Sequence, residues 1–302
     1  MSVKKSQIIC NISLIVGIFL TKMYFFLCKI CFENENKLTL QPLRLRKNMF
    51  LNWFHRKRDL LPLPYKRELH CHIIPGVDDG SPEMRFSLDY LEALHEFGVE
   101  RVIFTPHHTE PSYMNTPAKI TPLFHELKAE AAEREIPVEC ENFSFEYRLD
   151  ESFINMMNSG KWGEASCELR PLKDRYILIE NSFQQPLLNL DDVIYKLQDK
   201  GWYLIMAHPE RYHYYSSRGL KAYEHLVDLG VELQCNILSF SGYYGESAQK
   251  MAYRLFDEGM ISFVGSDLHN LHHVELIRKY LQSKEYAEIR PDLVAMIQND
   301  KI

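Results

Sequence analysis

Residues 261–269 read ISFVGSDLH, an apolar run that gives way to Asp267 and His269. The pattern recurs along the chain. Glu180 closes RYILIE, His208 closes WYLIMAH, His107 follows RVIFTP, Glu146 follows NFSF, His70 and His72 lie in ELHCHI, and Asp79 lies in GVDDG. A β-strand that delivers a ligand at its carboxyl end is how a parallel barrel builds an active site, because all its strand ends open onto one face. Seven segments carrying nine histidines and carboxylates therefore point to a metalloenzyme.

Between these segments the chain alternates strand-like and helix-like stretches. Apolar spacing predicts helices over 82–97, 120–134, 190–200, 223–229 and 248–258, four of them closed by Gly98, Gly201, Gly230 and Gly259. Strands are expected over 69–74, 101–105, 138–140, 176–180, 203–207, 231–235 and 261–265. Helix, glycine, strand, ligand is the repeating unit. It implies an α/β fold with parallel strands, helical crossovers and, with about seven units, a closed barrel.

A chain of 302 residues accommodates one such domain of about 250 residues and an N-terminal lead. The formal charge of -6, with no basic stripe, argues against nucleic acid as a partner. Seven cysteines, an odd number without a dense framework, fit a reducing, cytoplasmic compartment. Residues 1–48 differ in composition. Ile8 to Phe32 is nearly all apolar after Lys4 and Lys5, like a signal anchor, but Asn11, Lys22 and Lys29 interrupt it. A charge near the middle of a span costs ~2.5–3.5 kcal/mol, so the lead is a poor membrane anchor, and Met49 is favoured as the natural start. The expected division is a lead over 1–48, a basic linker over 49–67 and a catalytic barrel over 68–302. Membrane association follows only if the lead is real.

Spacing gives the ligand pairs a chemical reason. In HCH, residues one apart share a strand face, so His70 and His72 can bind one ion while Cys71 packs on the other side. Asp267 and His269 repeat that spacing. Glu180 ends a buried strand, so it is either paired with Lys or Arg or bound to metal. Spacing leaves Asp78 against Asp79, and His107 against His108, undecided.

HCHIIPGVDDGS, TPHH, AHPERY and GSDLHN, in this order, resemble the motifs of the polymerase and histidinol phosphatase (PHP) superfamily. Within it they are similar to the bacterial tyrosine-protein phosphatases encoded with capsule and exopolysaccharide machinery. The resemblance implies a distorted (β/α)7, TIM-like barrel with a trinuclear metal site at the carboxyl ends of its strands. It assigns His70, His72, Glu146 and Asp267 to one ion, Glu146, Glu180 and His208 to a second, and Asp79, His107 and His269 to the third. Manganese is favoured, with iron or zinc compatible with the nitrogen and oxygen donors. Arg211 falls on an arginine that the family places at the substrate phosphate. A further family arginine after the D-x-H-N motif is missing, leaving His272, His273, Arg278 or Arg148 as substitutes.

The function this implies is hydrolysis of phosphotyrosine by a metal-bridging hydroxide, on a tyrosine kinase tail that controls polysaccharide synthesis or export. No cysteine has an arginine six residues later, the spacing of thiol-based tyrosine phosphatases. Two alternatives are a small-molecule phosphatase of the histidinol-phosphate type and a non-catalytic scaffold that binds the kinase.

Overall fold

The computed structural model describes residues 59–158 and 169–302, all within the compact unit Lys57–Ile302. The lead over 1–48 and residues 49–58 of the linker lie outside the described residues.

β1 (Arg67–Glu68) is followed by α1 (Met84–Glu96), β2 (Arg101–Phe104), β3 (His107–His108), α2 (Pro117–Glu133), β4 (Glu139–Phe143), β5 (Glu146–Arg148) and α3 (Glu151–Asn158). Next come β6 (Tyr176–Glu180), α4 (Leu190–Asp199), β7 (Tyr203–Ala207), a 3-10 turn (Pro209–Arg211), α5 (His213–Ser216), α6 (Lys221–Asp228) and β8 (Val231–Asn236). The described chain ends with α7 (Ile237–Phe240), α8 (Glu246–Asp257), β9 (Ile261–Gly265), α9 (Leu271–Leu281) and α10 (Lys284–Met296). Helix boundaries follow local chemistry. Thr116 caps α2, its side chain accepting from the Lys119 amide, with Pro117 in the first turn where no amide donor is needed. Gly98, at φ +86°, turns the chain out of α1 in a conformation that a side chain would oppose.

All paired strands run parallel, as the helix–strand alternation implies. They form a three-stranded ladder, β1-β2-β4, and a six-stranded ladder, β3-β5-β6-β7-β8-β9. The stretches 101–108 and 139–148 each contribute a strand to both ladders. Pro106, without an amide proton, interrupts the first. Across the breaks, Thr105 N donates to Cys71 O, Ser144 N to Phe104 O and Glu146 N to Pro106 O. An isolated parallel bridge joins Cys71 and Leu268. The strand expected over 69–74 does not form a ladder: the paired strand lies just before it, at Arg67–Glu68. The Leu69 and His70 amides donate instead to Glu68 Oε1, each at 3.0 Å.

The strands sort their side chains by alternation. Ile177 and Ile179 join the main core under the helices, while Leu178 joins a small inner cluster with Leu69, Ile103, Ile205, Ala207 and Phe263. Two residues beyond Leu178 on the same face comes Glu180, so the inner apolar floor passes directly into the polar site. No helix among the described residues is long and apolar enough to cross a membrane.

Candidate metal centre

His70 and His72 are fully buried, with their Nε2 atoms 3.3 Å apart, and Cys71 points away into the main core. Both Nε2 atoms also face carboxylates: His70 lies 3.4 Å from Glu146 Oε1 and 3.4 Å from Asp267 Oδ1, and His72 lies 3.4 Å from Glu146 Oε2 and 3.4 Å from Asp267 Oδ1. The other ring nitrogens are committed: His72 Nδ1 donates to Asp78 Oδ2 at 2.9 Å, and His70 Nδ1 lies 2.7 Å from Gln234 Oε1. With Nδ1 carrying the proton, each Nε2 of a neutral ring offers a lone pair. Two lone pairs at this separation repel, so a proton or a metal cation must be held among them.

Glu146, fully buried, is the hub. Its Oε1 is 2.8 Å from His208 Nε2, and its Oε2 is 2.9 Å from His107 Nδ1. The second contact is short yet misaligned for a hydrogen bond, and both of its atoms, with Glu180 Oε2 and His208 Nδ1, have no hydrogen-bond partner among the described residues. Buried polar atoms left in this state need an explanation, and a shared cation is the simplest. Glu180 Oε1 accepts from Arg148 Nε at 3.0 Å and lies 3.5 Å from His107 Nδ1. The two readings of Glu180, arginine partner or metal ligand, are therefore both accommodated by its two oxygens.

The adjacent aspartates divide. Asp78 turns inward, accepting from the Gly80 and His107 amides as well as His72. Asp79 is exposed and sits 3.4 Å from His107 Nε2 and 3.7 Å from His269 Nε2. Gly80, directly after them, lets the loop pack against His72, since a Cβ there would lie 2.1 Å from His72 O. His108 turns away and binds Asn115 O.

Among the described residues, four groups of donor atoms, each mutually within 4.8 Å, emerge: His72, Asp79, His107 and His269; His70, His72 and Glu146; His70, His208 and Asp267; and His107, Glu146 and Glu180. All nine residues singled out in the sequence are thus brought together. The groups overlap more than the implied three-ion partition, with His208 grouped with His70 and Asp267 rather than with Glu180. The donors are nitrogen and oxygen without thiolate, a set that suits manganese, iron or zinc.

Protons compete for the same places. Burial works against the charged form of His72, but Asp78 and its neighbours hold the ring well above its usual range. Burial and the His72 charge likewise oppose protonation of His107, yet Glu146 and Glu180 push it up to about 10. At His269 burial and His72 prevail, lowering it to about 4. Burial opposes the charged forms of Glu146 and Asp267 as well, but the surrounding histidines hold both carboxyls well below the usual range.

Backbone geometry differs from simple strand ends. β7 stops at Ala207 and β9 at Gly265, and both His208 (φ +34°) and Asp267 (φ +49°) adopt left-handed conformations. Such strain at non-glycine residues concentrates at functional sites. The expected strand-like pairing of Asp267 with His269 is therefore replaced by a turn in which His269 Nδ1 donates to Asp267 O at 2.8 Å. Glu146 likewise begins β5 rather than ending a strand.

The buried centre floors an open cleft of about 770 Å³. Arg211 lies on its wall, its guanidinium 4.0 Å from the Tyr244 ring centre and 4.9 Å from that of Phe183, with Nη1 donating to Asp267 Oδ2 at 2.9 Å. Glu210, the neighbouring carboxylate, instead accepts from the Asn236 amide and Ser239 Oγ. Of the substitutes considered for the missing arginine, Arg148 and His273 line the cleft, whereas Arg278 pairs with Glu96 in another groove. His272 is exposed, packing on Tyr243. Phe183, Tyr243 and Tyr244 were not anticipated, and no sequence periodicity marks loop aromatics. Gln234 and Asn236 were also missed, although QCN at the end of β8 repeats the spacing of HCH.

Residues 67–286 match the family model described as capsular polysaccharide synthesis, CpsB/CapC, and the chain belongs to that family. It is 30% identical over 230 residues to the tyrosine-protein phosphatase YwqE of Bacillus subtilis, covering 74% of this chain and 86% of that protein. It is 25% identical to the tyrosine-protein phosphatase CpsB of Streptococcus agalactiae serotype V, over 68% of this chain and 83% of that protein. A crystal structure from work on YwqE of Bacillus subtilis and CpsB of Streptococcus pneumoniae, described as unique metal-dependent tyrosine phosphatases, superposes with a TM-score of 0.62 at 27% identity. It covers 77% of this chain and 94% of that one.

Proposed function

We propose that this protein is a metal-dependent protein-tyrosine phosphatase acting on a phosphorylated tyrosine kinase of capsule or exopolysaccharide synthesis. The observation that carries the reading is the convergence of nine histidine and carboxylate side chains beneath a cleft whose wall holds Arg211. The CpsB/CapC membership and the relatives named as tyrosine-protein phosphatases support the substrate class.

In this reading the nine residues hold three divalent ions, manganese before iron or zinc, at the rim of a distorted (β/α)7 barrel made of the two ladders. Bound ions supply Lewis acidity and lower the pKa of water toward ~7, providing a nucleophile. The protein's own groups do the rest. Arg211 exchanges its contact with Asp267 for paired hydrogen bonds to a phosphoryl oxygen. Arg148, held by Glu180, adds positive charge at the cleft. Phe183 stacks on His208, with ring centres 5.6 Å apart, and offers an apolar face to an aromatic leaving group. Tyrosine, with a pKa near ~10, leaves without strong protonation. The reading gives cysteine no role: no cysteine lines the cleft among the described residues, and burial pushes the Cys71 thiol far up. The free cysteines Cys71, Cys140 and Cys235 support a cytoplasmic setting for the catalytic unit, which we take to span 68–302 apart from the lead.

Phosphate release from a tyrosine-phosphorylated peptide and from histidinol phosphate, both with metal-loaded protein, tests the assignment. Faster turnover of the peptide supports it. Preference for histidinol phosphate makes the protein a small-molecule phosphatase, and no release from either leaves a binding scaffold.

A further inference from the structure

β8 is the one strand of the six-stranded ladder, in the described residues, with no member of the four donor groups either in it or in the turn directly after it. Its carboxyl end nevertheless carries Gln234 and Asn236, both buried and both turned toward the centre, while Cys235 between them packs in the main core. Asn236 Nδ2 donates to Asp267 Oδ2 at 2.7 Å, Gln234 Nε2 donates to Asn236 Oδ1 at 2.9 Å, and Gln234 Oε1 lies 2.7 Å from His70 Nδ1.

The direction of this chain is forced by its ends. A carboxylate can only accept, so Asn236 must turn its NH2 group to Asp267 and its oxygen to Gln234. Gln234 must then give its NH2 to Asn236, leaving its oxygen for His70. That oxygen accepts from Nδ1–H, and the Nε2 lone pair of His70 is left pointing at Glu146 and Asp267. The relay is also fixed from behind: Glu210 Oε1 accepts from the Asn236 amide at 3.0 Å. Gly265 leaves the space it needs, since a Cβ there would lie 2.8 Å from Gln234 Nε2 and 2.8 Å from His70 Cβ.

We propose that Gln234 and Asn236 are positioning residues of the metal centre: one amide relay ties His70 to Asp267 and sets the His70 tautomer that presents Nε2 to a cation. The inference rests on reading the centre as a metal site. Partners of this kind, bonded to a ligand's remote nitrogen, carry ~10–100-fold in metal affinity.

The test uses Gln234→Met, close in shape but unable to accept or donate, and Gln234→Glu, which keeps the acceptor for His70. The full chain, labelled with 15N-histidine, is loaded with Zn2+, and the zinc dissociation constant is measured by chelator competition. Wild type should show a slowly exchanging His70 Nδ1–H signal. Gln234→Met should lose that protection and bind zinc ~10–100-fold more weakly, whereas Gln234→Glu should keep the protected proton and recover part of the affinity. A packing role gives the opposite order, with the apolar Met variant the milder, and that result overturns the proposal. So does a Met variant with wild-type affinity and a protected proton. Wild type that takes up no zinc, manganese or iron would instead overturn the metal reading itself, a distinguishable failure.

Discussion

Arg211 and Asp267, 56 residues apart, meet across the cleft at 2.9 Å, and the same carboxylate faces His70, His72 and His269. The guanidinium thus waits beside the centre, braced between Phe183 and Tyr244. Lysine in its place keeps the charge but loses the planar fork and its stacking. A charge-assisted hydrogen bond carries about 1.5–3 kcal/mol, so Arg211→Lys should lower kcat/KM on a phosphotyrosine peptide by about tenfold to a hundredfold, with metal content unchanged. Wild-type kinetics in a metal-replete Lys variant would make the ion pair purely structural.

The adjacent aspartates should separate by experiment as they do in space. Asp78 holds the His72 ring and two backbone amides from behind, while exposed Asp79 faces His107 and His269. Asp78→Asn should weaken metal binding at His72 by about 10–100-fold and lower thermal stability, because a buried hub is broken. Asp79→Asn should lower metal occupancy with little change in melting temperature of the metal-free protein. Equal effects of the two on melting temperature would contradict these roles.

Metal removal should make stability fall as pH rises. In the absence of bound metal, burial and His72 oppose the His107 proton, but Glu146 and Glu180 raise its pKa to about 10 from an ordinary 6.5. A raised folded pKa gives stability that is full below ~6.5 and is lost as pH rises through about 10. Chelated protein should therefore melt at progressively lower temperature from pH 7 toward 9.5. Metal-loaded protein should hold its melting temperature over that range, since deprotonation favours the bound ions. Differential scanning calorimetry on both forms decides it, and a chelated protein that gains stability with pH would contradict the His107 environment.

Much of this was legible in the sequence because it rests on short-range patterns. Helix periodicity ended by glycine located α1, α4, α6 and α8, and apolar runs located β6, β7, β8 and β9. The one-residue spacing of His70 and His72 gave their common face, with Cys71 opposite. What was hidden depends on distant contacts or on backbone turns. The left-handed conformations of His208 and Asp267 leave no mark in residue type, and the split of 101–108 and 139–148 between two ladders follows from cross-strand partners. Nothing local distinguishes Asp78 from Asp79, because their roles are set by His72, His107 and His269. α3, α9 and α10, none of them followed directly by a closing glycine, were missed.

The central claim, phosphotyrosine hydrolysis by a metal centre rather than a cysteine, has a direct measurement: phosphate release from a tyrosine-phosphorylated peptide by protein that is untreated, chelated, chelated and reloaded with Mn2+, or alkylated with iodoacetamide. The account predicts activity lost on chelation, restored by Mn2+ and unchanged by alkylation. Full activity after complete metal removal, or inactivation by alkylation with metals and fold retained, would contradict it.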